Sequence, residues 1–291
     1  MEEYILFPKL NKKIDYNSLV ENLHPLENDM IFIAGSLVEE KVNINSKGMG
    51  NIFSDIDIFI LRNTDKDREF DISIEGYDYK SVKIDFKRIN DINIDIEYYR
   101  QEDIYNLIQQ LNKVDFLNCN RSRRLKTWIK LPNGIILDRF LSFLHRLYYS
   151  ISIYNIYDLE ILKKSINYKN YFKFSAQYYI QMMDMRYDDV LGNIKYGDQY
   201  VAVQEAREML TYCMAAYIFS YEESIDRLKW VPLRLKNIAE LDTTVYKIYL
   251  HYEKLLFNTI LTNEQEIENY VEEVFNLLEY VVGIIRKKFS F

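Results

Sequence analysis

Residues 31–60 read IFIAGSLVEEKVNINSKGMGNIFSDIDIFI. The runs 31–34 and 56–60 are apolar, β-branched and aromatic, of the length and composition of buried strands. The second run nevertheless carries Asp55 and Asp57. In a strand, residues i and i+2 share a face roughly 6.5 to 7 Å apart, so the two carboxylates lie on one face and Ile56, Ile58 and Ile60 on the other. Like charges that close beside a core repel and raise each other's pKa unless a cation sits between or in front of them. A hard divalent cation such as Mg²⁺ removes the conflict, because it takes carboxylate oxygens and keeps waters and phosphates as its other ligands. Taken alone, Asp-x-Asp also fits a solvent-facing strand edge in a chain rich in Asp and Ile.

The surroundings favour the metal. Gly35-Ser36 follows the strand IFIA directly, where a tight turn into a helix presents backbone N–H groups and a hydroxyl to a phosphate. Downstream, INIDIEYY (92–99) repeats the anomaly, with Asp95 and Glu97 on one strand face. Metal-assisted phosphoryl or nucleotidyl transfer needs a third carboxylate to complete the metal site and receive the acceptor hydroxyl's proton. Either Asp95 or Glu97 can fill that role. Asp95 is preferred because Ile94 and Ile96 flank it, and Asp85 in VKIDFKRI is a weaker competitor.

Apolar strand, Gly-Ser, helix, Asp-x-Asp and a later acidic strand, here IFIAGS, SDIDIFI and INIDIEYY, resemble the signature of the DNA-polymerase-β-like nucleotidyltransferase superfamily over residues 31–99. Among its two-domain members the chain looks like the aminoglycoside-type adenylyltransferases. The resemblance implies that Asp55 and Asp57 bind two Mg²⁺ and that Asp95 completes the catalytic metal site. It implies that Gly35, Ser36 and Ser54 meet the nucleotide, and that Lys229 of DRLKWVPLRL reaches the triphosphate from the helical domain. An acceptor hydroxyl then attacks the α-phosphate of ATP or another NTP, and pyrophosphate leaves. Two departures stand out. Eighteen residues separate Ser36 from Asp55, so KVNINSKGMGNIF is expected to form a flexible loop at the site mouth, and Glu40 stands where a glycine often follows.

At 291 residues the chain has room for two domains. The strand-like runs IFIAGS, SDIDIFIL, EFDISIEG, SVKIDFKRI and INIDIEYY predict a mixed α/β domain over 1–115 with a sheet of four or five strands, preceded by a helix over 15–24. From about Gln101 the apolar period becomes helical: segments 101–113, 138–155, 158–166, 168–186, 198–220, 242–260 and 263–287 predict an α-helical domain over 116–291 that completes the substrate cleft. Asp138, Asp198 and Asp242 are expected N-caps, and Thr262 with Gln265 has capping-box spacing. LPNGIIL (131–137) reads as a turn carrying a last strand, and MRYDDVLGNIKYGDQY (185–200) as a polar connection between helices.

A net charge of −7 argues against a generic nucleic-acid binder. Residues 1–115 hold 14 Lys+Arg against 23 Asp+Glu and residues 116–291 hold 23 against 21, so the acids concentrate in the half expected to bind metal. That bias points to a small, cationic acceptor bearing a hydroxyl. Cys119 and Cys213 lie far apart and indicate neither a disulfide framework nor a zinc site. An acidic start and the lack of any 18-residue apolar run predict a cytoplasmic protein with no membrane partner; a homodimer is compatible with the sequence. RSRRLK (121–126) fits a solvated face better than a phosphate grip, and His24, His145 and His251 lack metal-ligand spacing. Other readings are transfer onto RNA or protein, as in toxin-like or tRNA-directed enzymes, and a non-catalytic, antitoxin-like binding module.

Overall fold

A computed structural model describes residues 4–63, 76–78, 82–89, 91–116 and 128–289. The chain folds as two compact units, one of Met1–Lys113 with Trp128–Asn167, the other of Val114–Thr127 with Tyr168–Phe291. The first is a mixed sheet with flanking helices and the second is helical, the fold class that the change of period predicts.

The first unit opens with an antiparallel hairpin, β1 (Tyr4–Phe7) and β2 (Lys12–Asp15), followed by α1 (Tyr16–Leu23), whose N-terminus Asp15 caps by accepting from the Ser18 N–H. The main sheet contains β3 (Met30–Ala34), β4 (Ile56–Arg62), β5 (Tyr77–Asp78), β6 (Val82–Ile89), β7 (Ile92–Arg100) and β8 (Ile151–Tyr154) in the order β5-β6-β7-β4-β3-β8. β4 and β7 run parallel, and the other neighbours are antiparallel. Covered sheet faces explain the near-continuous apolar runs. On one face Ile31, Ile33, Ile56, Ile58, Ile60, Ile94 and Ile96 pack against the hairpin, α1 and α2 (Ser36–Val42). On the other, Phe32, Phe59 and Tyr99 gather around Phe143 of α4 (Leu137–Tyr148), with ring centroids 4.9 to 6.1 Å from that of Phe143. α3 (Gln101–Asn112) and α5 (Ile156–Ser165) complete the unit.

Helical periodicity over 138–155 conceals a boundary: α4 ends at Tyr148 and ISIY becomes β8, the antiparallel partner that β3 needs on its second side. Residues 128–167 fold in the unit that holds the sheet, whereas the expected domain boundary at 115/116 groups them with the later helices. LPNGIIL is a turn closed by the Ile135 N–H on Pro132 O, with no strand in it. Most of EFDISIEG and all of RSRRLK lie outside the described residues.

The second unit comprises α6 (Tyr168–Asp184), α7 (Tyr187–Tyr196), α8 (Gln199–Phe219), a 3₁₀ turn at Leu228–Trp230, α9 (Val231–Ala239), α10 (Thr243–Phe257) and α11 (Glu264–Phe289). Cys213–Phe219 are buried on every side of α8, which marks it as the central helix around which α6, α7 and α11 pack. Asp242 caps α10 by accepting from the N–H groups of Thr244 and Val245, as expected. The capping box of α11 is shifted by one residue: Asn263 accepts from the Glu266 N–H while Glu266 accepts from Thr262. Asp198 makes no side-chain cap, and α4 begins one residue before Asp138. The 185–200 connection contains α7, stopped by Gly197 at φ 84°. No helix among the described residues is long and apolar enough to cross a membrane.

Candidate active site

β3, buried along its whole length, ends at Gly35, whose φ of 92° and ψ of 172° suit a residue without a side chain. The Gly35 carbonyl then accepts from the N–H groups of Val38 and Glu39 as α2 begins at Ser36. The turn is built against Asp57: a Cβ on Gly35 would lie 2.0 Å from Asp57 Oδ2. Antiparallel pairing of Ala34 with Asp57 fixes that approach, and parallel pairing of β4 with β7 sets Asp57 directly beside Asp95.

Asp57 and Asp95 therefore share one face as register neighbours, with Asp55 two residues earlier on the β4 side. The Asp95 carboxyl is pushed up to about 6, first by burial and then by the charges of Asp57 and Asp55. Neither Asp55 nor Asp95 makes a hydrogen bond or ion pair among the described residues. Asp85, the weaker competitor, pairs with Ile96 and so belongs to the opposite face of the sheet.

Glu97 is committed elsewhere. Its Oε2 accepts a 2.5 Å hydrogen bond from the Tyr99 hydroxyl, and Arg139 Nη1 lies 3.6 Å from the same oxygen. Its Oε1 accepts from Arg146 Nη1 at 3.1 Å, and that nitrogen also stands 3.3 Å from Asp57 Oδ1. Arg139, Phe143 and Arg146 come from α4, spaced four and three residues apart and so on one helix face. The arginines and the aromatic anchor of that face were missed at the sequence level. Their only signal is an apolar stripe broken by arginines in LDRFLSFLHRLY.

A second missed pair is buried beside the first. His145 Nε2 lies 3.0 Å from Glu39 Oε2, and Ser46 Oγ donates to Glu39 Oε1 at 3.0 Å. The insert after α2, expected to be loose, is folded: Ile44–Ser46 forms a 3₁₀ turn, and Glu40 Oε1 accepts from the Gly48 N–H and from Lys9 Nζ. Lys9 also donates to the carbonyls of Met49 and Gly50. Glu40 thus organises the insert. Ser54 closes the last turn before the acids, its Oγ accepting from the Asn51 N–H. Lys229 belongs to the helical unit, where its Nζ is 5.1 Å from the Trp230 ring, and its link to the nucleotide rests on the resemblance alone.

Among the described residues, no three His, Cys, Asp or Glu side chains are already drawn together as a cation-holding set. Arg146 draws on Asp57 from one side of the cluster. The donors are nevertheless of the kind a hard divalent ion takes: Asp55 and Asp57 from β4 and Asp95 from the neighbouring β7, the last with its pKa raised by burial and by the charges of the other two.

No family model matches the sequence, and no curated protein matches it. Among solved structures the chain is similar to a nucleotidyltransferase-like protein from Exiguobacterium sibiricum 255-15, with a TM-score of 0.47 and 15% identity over 94% of this chain and 77% of that one.

Proposed function

We propose that this chain is a Mg²⁺-dependent nucleotidyltransferase that moves a nucleoside monophosphate, AMP from ATP foremost, onto a hydroxyl of a small acceptor with release of pyrophosphate. One observation carries the reading: Asp57 and Asp95 are register neighbours, with Asp55 at the same strand end and Gly35 pressed against Asp57. Asp55 and Asp57 would hold two metal ions, and Asp95 would complete the set. Once bound, such ions neutralise phosphate charge and polarise the reacting oxygens.

The chain's own residues supply the rest. Asp95, set beside Asp57 by the register of β4 and β7, would be the carboxylate placed to take the proton of an acceptor hydroxyl. Gly35 and Ser36, at the start of α2, and Ser54 are assigned to the phosphates, as the resemblance implies. Glu97 keeps α4 on the acidic face through Arg139 and Arg146 and is not assigned to metal. The acidic excess of residues 1–115 favours a cationic acceptor over a polyanion.

The test is Mg²⁺-dependent release of pyrophosphate from ATP in the presence of a metabolite extract, with mass spectrometry for products heavier by one nucleoside monophosphate. Turnover lost in Asp57→Asn supports the reading. Turnover only with RNA or protein would move the acceptor class, and nucleotide binding without pyrophosphate release would make the chain a binding module.

A further inference from the structure

The same guanidinium nitrogen, Arg146 Nη1, serves Asp57 Oδ1 at 3.3 Å and Glu97 Oε1 at 3.1 Å. Arg146 is only 7% exposed, and so buried a cation is stable only while it keeps a counter-charge. Of Glu97 and Asp57, Glu97 is the better anchored, since Tyr99 and Arg139 hold its other carboxylate oxygen. Asp57 is the partner that the proposed chemistry requires elsewhere.

The arginine has no freedom to leave with its helix. His145, the preceding residue, is 2% exposed and bound to Glu39, which is 3% exposed and lies on α2. Phe143, three residues before Arg146, is locked among Phe32, Phe59 and Tyr99. The Arg146 guanidinium itself lies 5.3 Å from the Phe59 ring. Its positive charge is therefore a fixed part of the acidic face.

We propose that Arg146 is a built-in counter-cation for this site: it holds Asp57 until a divalent ion claims that carboxylate, and then stays on Glu97. The idea rests on the metal reading of Asp55, Asp57 and Asp95. A bare divalent ion must displace Arg146 from Asp57 and then sit near its charge, which weakens binding. An ion that arrives with a polyphosphate brings negative charge that offsets the guanidinium, so the arginine biases the site towards the metal–polyphosphate complex over the free metal. Arg146 thus acts as a positioning and selectivity residue, and its effect appears in metal binding without any turnover.

Mn²⁺ titration of the nucleotide-free protein, followed by loss of the free-ion electron paramagnetic resonance signal, tests this directly. Arg146→Gln should bind bare Mn²⁺ about five- to tenfold more tightly than the parent, the effect of removing one nearby charge at a partly screened site. Added tripolyphosphate should tighten Mn²⁺ binding less in Arg146→Gln than in the parent, and Arg146→Lys should stay near the parent. Unchanged or weaker binding of bare Mn²⁺ by Arg146→Gln overturns the proposal. Should that variant fail to fold, the unaltered protein still decides: the Arg146 Nε–H resonance, assigned by its loss in Arg146→Lys, should shift saturably with Mg²⁺, and a static resonance overturns the idea. Mn²⁺ uptake that is absent from the parent, or unaffected by Asp57→Asn, overturns the metal reading and this proposal together. Uptake lost in Asp57→Asn but untouched in Arg146→Gln overturns this proposal alone.

Discussion

Gly35 and Asp57 meet so closely that a methyl group on the first would overlap the carboxylate of the second, at 2.0 Å from its Oδ2. The glycine also holds a φ of 92°, where a residue with a side chain is strained by about 1–3 kcal/mol. Gly35→Ala should therefore lower stability by about that amount in urea unfolding. It should also displace Asp57 and weaken Mn²⁺ binding at least tenfold. Parental metal binding in a folded Gly35→Ala protein would show that the Asp57 position is not critical.

Asp55→Asn and Asp57→Asn should each cut nucleotidyl transfer roughly a thousandfold, the equivalent of about 4 kcal/mol of lost transition-state stabilisation. Their effects on the metal-free fold should differ. Asp55 has no partner among the described residues, so its neutralisation relieves repulsion and should raise the denaturation midpoint. Asp57 is paired with Arg146, so its neutralisation should lower the midpoint. Equal shifts of the same sign in calorimetry or urea titration would contradict the asymmetry. From sequence alone the two acids are equivalent, because the arginine that distinguishes them lies about ninety residues downstream of Asp57, on a helix and not on the strand.

Asp95 and Glu97 should separate by pH and by stability. With the Asp95 pKa raised from 3.8 to about 6, the metal-free fold holds a proton that the unfolded chain releases between those values. Folding thus loses stability as pH rises from about 4 through 6, the reverse of an acid whose pKa is lowered by its partners. A divalent ion competes with that proton, so Mn²⁺ affinity should climb through pH 6 and level off above it. Asp95→Asn should flatten both profiles. Glu97→Gln should move the profiles only slightly to lower pH, since Glu97 is a minor contributor to the raised Asp95 pKa, but cost about 3 kcal/mol, as expected when a buried arginine loses an ionised partner. A flat metal-affinity profile in the parent would remove Asp95 from the site.

Strand β4, the Gly35 turn and β7 were legible in the sequence because each sets polar or turn-forming residues into a strong apolar pattern, and buried strands tolerate such breaks only for a reason. Strand β8 was not legible: ISIY continues an apolar helical period without a break, and only its pairing with β3 distinguishes the two states. The hairpin of β1 and β2 carries too few residues to show a period against its charged neighbours. Within the site, a strand's own alternation placed Asp55 with Asp57 and Asp95 with Glu97, but the parallel register that makes Asp57 and Asp95 neighbours depends on an unseen partner. Arg146, Arg139 and the Glu39–His145 pair stayed hidden for the same reason, since each joins segments about fifty to a hundred residues apart in a contact that no local spacing encodes.

The Glu39–His145 pair gives the last test. It links α2, which starts at the Gly35 turn, to α4, which carries Arg146, and both side chains are almost fully buried. Glu39→Ala deprives the His145 ring nitrogen and the Ser46 hydroxyl of a buried partner, which costs about 1–3 kcal/mol for each. Glu39→Ala should therefore lower the unfolding free energy by an amount of that order. Glu39→Gln keeps a side-chain oxygen for Ser46 and an amide for His145, so it should cost about 1 kcal/mol. Because α4 would lose the anchor next to Arg146, Glu39→Ala should also shift the Arg146 Nε–H resonance towards its exchange-averaged, solvent-exposed position, whereas Glu39→Gln should leave it in place. An alanine variant as stable as the parent, with the Arg146 signal unmoved, would show that the Phe143 cluster and the Glu97 ion pairs fix α4 without Glu39.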